Sequence, residues 1–72
     1  MDLFEIDDTQ RMSREDAAAR LHALADVLAR NNQVEFDRAG TRITVHVPDE
    51  VNLKIEVEIG DDEREVEIEL TW

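Results

Sequence analysis

Between positions 51 and 72 the chain reads VNLKIEVEIGDDEREVEIELTW, with an apolar side chain at nearly every second place and a charged one, usually Glu, in most of the gaps. Successive side chains of a β-strand point to opposite faces, so a period of two sorts this segment into one apolar and one acidic face. A helix of 3.6 residues per turn would scatter the same residues around its axis. Val51, Leu53, Ile55, Val57 and Ile59 therefore predict one strand and Val66, Ile68, Leu70 and Trp72 another, with Gly60-Asp61-Asp62 turning the chain between them.

The same period runs upstream in shorter pieces. Val34 and Phe36 predict one strand and Ile43, Val45 and Val47 a second, separated by Ala39-Gly40 and followed by the turn Pro48-Asp49-Glu50. Short loops fix register. A two-residue loop at Ala39-Gly40 sets Phe36 opposite Ile43 and Val34 opposite Val45, and a three-residue loop at 48–50 sets Val47 against Val51 and Val45 against Leu53. Whereas a four-residue loop would slide the last strand by two residues without changing faces, a two-residue loop at Asp61-Asp62 pairs Val57 with Val66, Ile55 with Ile68, Leu53 with Leu70 and Val51 with Trp72. On the outer face this puts Arg42 between Asp37 and Glu56 and Lys54 between Thr44 and Glu69, but it also sets Glu58 against Glu65 and Glu56 against Glu67.

Ahead of the strands, MSREDAAARLHALADVLARNN carries the helical period. Ser13 is a good N-cap, Asp16 follows three residues later as in a capping box, and Glu15 and Asp16 place negative charge at the positive end of the helix dipole. Ala17, Leu21, Leu24, Ala25 and Leu28 form one apolar stripe, and Arg30 with Asn31-Asn32 suits the exit. The stripe reads as core, not as a cofactor site. The expected fold is α+β, one amphipathic helix packed on one face of a four- or five-stranded antiparallel sheet in the order β-α-β-β-β-β, since neither apolar face can stay in water alone. It forms a single domain over 1–72: an N-terminal segment or strand at 1–12, a helix at 13–31 and a β-meander at 33–72. LFEI, at positions 3–6, is the candidate fifth strand, with Phe4 and Ile6 inward and a sheet edge to cover.

Seventy-two residues with no cysteine leave such a domain without disulfides or thiolate metal sites, at a size where a single core barely outweighs chain entropy. The 19 Asp and Glu against 8 Lys and Arg give a formal net charge of −11, which argues against binding nucleic acid or an anionic membrane by charge and makes any charged partner cationic. Lys54 is the only lysine. An acidic, lysine-poor surface over a periodic core is the style of proteins that work in molar salt. MDLFEIDD has no basic stretch and no long apolar run, so neither a signal peptide nor a membrane span is predicted, and a cytoplasmic location follows.

Chemistry has few candidates. His22 and His46 are far apart and read as surface residues, and no nucleophile triad, phosphate loop or metalloprotease spacing is present, so no enzyme activity and no cofactor are expected. Glu56, Glu58, Glu65 and Glu67 are weak candidates for a divalent cation, because flat strands rarely wrap an ion with six or more ligands. The same array could imitate a nucleic-acid backbone in a basic protein groove. Leu3, Phe4 and Ile6, and Trp72 if it is exposed, are the interaction candidates. An oligomer formed through an edge strand or the N-terminal segment is expected.

Taken in order, LFEIDDTQRMSREDAAARLHALADVLA, VPDEVNLKIEVEI and EVEIELTW with Trp72 resemble the amphi-Trp domain family, small acidic proteins of haloarchaeal type, over nearly the whole chain. The resemblance implies amphipathic strands and a characteristic tryptophan; no activity or catalytic residue comes with it. Trp72 is then expected on the inner face opposite Val51, sealing one end of the helix-sheet core rather than anchoring a partner.

Overall fold

The computed structural model describes residues 9–72. Helix α1 spans Arg14–Arg30 and is followed by strands β1 (Gln33–Arg38), β2 (Thr41–His46), β3 (Asn52–Ile59) and β4 (Arg64–Thr71). The chain is thus α+β with antiparallel strands. The proposed first strand at 3–6 lies outside the described residues.

Local chemistry sets both ends of α1. Ser13 is in the extended region and its hydroxyl accepts the Asp16 N–H at 3.0 Å, while its carbonyl accepts the Ala17 N–H at 3.0 Å and starts the ladder. At the other end the Asn31 N–H donates to the Val27 carbonyl at 2.9 Å, and Asn31 itself turns extended.

Strands β1 and β2 pair in the expected register, with Val34 opposite Val45 and Phe36 opposite Ile43. Their turn takes positive φ at both central residues, 50° at Ala39 and 81° at Gly40, the backbone of a type I′ turn whose twist matches the strands. The Val47 N–H donates to the Asn32 carbonyl at 2.7 Å and carries the ladder one step past β2. Strands β3 and β4 also pair as expected, Leu53 with Leu70, Ile55 with Ile68 and Val57 with Val66, and the Gly60 N–H closes the turn on the Glu63 carbonyl at 2.8 Å.

The hairpins do not join. Among the described residues β1 pairs only with β2 and β3 only with β4, giving two two-stranded sheets where one continuous sheet was expected. The connection explains the difference. A three-residue hairpin loop needs a left-handed position, usually filled by Gly, and Pro48-Asp49-Glu50 offers none. Pro48 also has no N–H to give and holds Val47 extended. The expected contacts of Val47 with Val51 and of Val45 with Leu53 are therefore not made, and Glu56 does not flank Arg42.

Packing follows the same division. Among the described residues α1 meets β1 but no other strand, and β3 and β4 meet only each other. Val34, on β1, is the one buried apolar residue among the described residues, at 7% exposure; Ala17, Leu28, Ile43 and Val45 are half-buried. Leu21 and Leu24 of the helical stripe stay exposed. The accessible surface is 7027 Å², against about 4,600 Å² for a compact monomer of this mass. Trp72, placed by sequence in the core, lies beyond the end of β4 and is 57% exposed, which corrects that assignment.

Candidate interaction surface

The β3–β4 hairpin builds two faces from one alternation. Leu53, Ile55, Val57 and Ile59 of β3 share a face with Val66, Ile68 and Leu70 of β4, and every cross-strand pair in the middle of that face is aliphatic on both sides. Such a face normally forms a core, yet Ile68 is 53% and Ile59 75% exposed, and apart from half-buried Leu70 the others lie within this range or at its ends. The patch is contiguous and larger than the scattered apolar residues usual on a monomer's surface.

The opposite face is acidic. Glu56 stands opposite Glu67 and Glu58 opposite Glu65. The Glu65 carboxyl is pushed above its usual 4.5, first by a side-chain hydrogen bond with Glu67, then by repulsion from Glu67, by partial desolvation and by the charges of Glu58 and Glu56. Lys54 relieves one end of the row, its Nζ lying 3.1 Å from Glu56 Oε2, while its register partner is Glu69. At the hairpin tip Glu58, Glu63 and Glu65 line a small notch with Gly60. Even so, no three His, Asp or Glu side chains among the described residues form a group able to hold a metal ion.

On the first hairpin Arg42 bridges two carboxylates, Nε to Asp37 Oδ1 at 3.2 Å and a guanidinium nitrogen to Glu35 Oε2 at 3.9 Å. All three side chains are largely exposed, so each pair adds little stability. The histidines sit on different elements. His22 Nδ1 is 3.3 Å from Asp26 Oδ2 one helical turn on, in the open, and His46 faces Gln33 across β1 and β2. A shallow groove where α1 ends against the β2–β3 connection is lined by Leu28, Arg30, Asn31, Val47, Pro48 and Asp49, with no pair of side chains set for proton transfer.

Of the interaction candidates, Leu3, Phe4 and Ile6 lie outside the described residues and Trp72 is exposed. The β3–β4 face itself was read as core by sequence. Its alternation says only that one face must leave water; whether the cover comes from the same chain leaves no mark in the pattern. No helix among the described residues is long and apolar enough to cross a membrane.

The model of one protein family, described as the Amphi-Trp domain, matches residues 2–72. No curated protein and no solved structure matches the chain.

Proposed function

We propose that this chain, which belongs to the Amphi-Trp domain family, works as a non-catalytic interaction or structural module adapted to high salt. The observation that carries this reading is the β3–β4 hairpin, which offers an uncovered aliphatic face on one side and a Glu-rich face on the other. An uncovered apolar face supports binding, and the repelling carboxylates behind it support a solvent rich in counter-ions. Self-association through a free strand edge or the N-terminal segment belongs to the same reading. Joining free edges of the two hairpins would complete the expected four- or five-stranded sheet. The protein acts in the cytoplasm, without a cofactor, and binds neither nucleic acid nor membrane. A charged partner of the acidic face is cationic.

Affinity purification from native lysate in molar KCl, with bound proteins, metals and nucleotides identified together, tests the proposal. Recovery of the protein with further copies of itself or with a defined protein partner is expected. Stoichiometric recovery of a nucleotide or small metabolite would count against it.

A second reading, an acidic cation-binding or nucleic-acid-mimicking protein, draws on the carboxylates crowded around Glu65. Calorimetric titration with Mg2+ or Ca2+ in molar KCl separates the two, because a saturable site formed by Glu56, Glu58, Glu65 and Glu67 would favour the second.

A further inference from the structure

We infer that the apolar face of the β3–β4 hairpin is a self-complementary interface, covered in solution by the same face of a second copy of this chain. The inference rests on the reading of the chain as an interaction module and goes beyond it by naming the surface and the partner, which are neither a strand edge nor the N-terminal segment.

Three observations carry it. A lone two-stranded hairpin is marginal in water, and β3–β4 touches no other element among the described residues, so its stability requires a cover. The helix already leans on β1, around the buried Val34. The area also fits. Leu53, Ile55, Val57, Ile59, Val66 and Ile68 are each 53–75% exposed. Together they offer on the order of 700 Å² per copy, so two copies would hide about 1,400 Å², within the range of stable specific interfaces.

The chemistry of the face selects the occupant. Its three central cross-strand pairs are Leu53 with Leu70, Ile55 with Ile68 and Val57 with Val66, with no carboxylate among them to receive a cationic partner. A matching surface must be aliphatic and pleated and twisted to the same degree, and a second β3–β4 face has these properties. Two-fold packing of sheets about 10 Å apart also turns both Glu rows outward, away from each other.

Cysteine placement tests the arrangement, since the chain has none of its own. Ile55→Cys and Ile68→Cys lie on the apolar face, and Glu56→Cys on the acidic one. Each variant, in the full chain in molar KCl, is treated with a short thiol-to-thiol crosslinker after circular dichroism has shown it folded, and wild-type mass is measured by light scattering. Expected are twice the chain mass for wild type, covalent dimers from the Ile55 and Ile68 variants, and none from the Glu56 variant. A wild-type monomer at micromolar concentration overturns the inference and leaves the cover to the chain's own helix or to another protein. A dimer that neither apolar-face variant links, and that dissociates when residues 1–7 are removed, overturns it too while leaving association through the N-terminal segment standing. The wild-type mass decides even if one cysteine variant does not fold.

Discussion

Glu58 and Glu65 stand directly opposite each other across the β3–β4 ladder, with Glu56 and Glu67 in the same relation two residues along. Lys54 reaches Glu56 at one end of this row. Like charges so placed work against the aliphatic pairs on the other face, and solvent conditions decide how strongly.

Salt should therefore stabilise the protein. Each facing pair of like charges works against the fold in dilute buffer. Screening shortens the reach of these charges from about 10 Å at 0.1 M to about 3 Å at 1 M. Urea denaturation in dilute buffer and in molar KCl is expected to show a higher midpoint in KCl. Equal midpoints would remove the halophilic account of the Glu array.

Acid should act in the same direction through Glu65. Its folded-state value is raised above 4.5, so between the two values the native state binds more protons than the unfolded one. Stability from this group is fully present below the unfolded value and is lost as pH rises through the folded one. Glu65→Gln removes the effect, so at low salt the wild type should lose stability relative to the variant as pH climbs from that window towards neutrality. Parallel pH curves for the two proteins would contradict the assignment.

The first hairpin carries a removable strain. Ala39 holds φ at 50°, a region that costs an L-residue with a Cβ roughly 1–2 kcal/mol. Type I′ turns favour Asn-Gly, so Ala39→Asn, keeping Gly40, should raise stability by about 0.5–1 kcal/mol. Thermal unfolding of the two proteins checks it, and a loss of stability would mean that the turn adopts another backbone in solution.

Trp72 reports on its own exposure, because no other Trp and no Tyr is present. At 57% exposure its emission should be red-shifted and readily quenched by iodide or acrylamide, and Trp72→Ala should change stability by less than about 1 kcal/mol. A blue-shifted, protected indole with a loss of about 3–5 kcal/mol would restore the core assignment.

Both ends of the helix were legible in the sequence, because Ser13 and Asn31 make their capping bonds with residues three and four positions away. The registers inside each hairpin were legible for the same reason, with Ala39-Gly40 and Asp61-Asp62 turning the chain where the alternation requires. The relation of β2 to β3 was not. Val47 and Val51 keep the alternation across the connection, so pairing and separation satisfy the pattern equally, and only the backbone needs of Pro48 distinguish them. Trp72 was misplaced because its position followed from a register that the ladder, ending at Asn52 with Thr71, does not extend to it. The interaction surface was visible as a face, but its exposure depends on what lies against it.

Each strand pair here is closed by its own tight turn, and among the described residues no ladder joins distant parts of the chain. The kinetic consequence is a search with little chain to gather before native contacts form. A hairpin zips from its turn in about 1–10 μs and a helix of this length relaxes in about 0.1–1 μs. The secondary structure can therefore be in place long before two chains meet. Any slow phase in refolding should then accelerate with protein concentration, as a bimolecular docking step does.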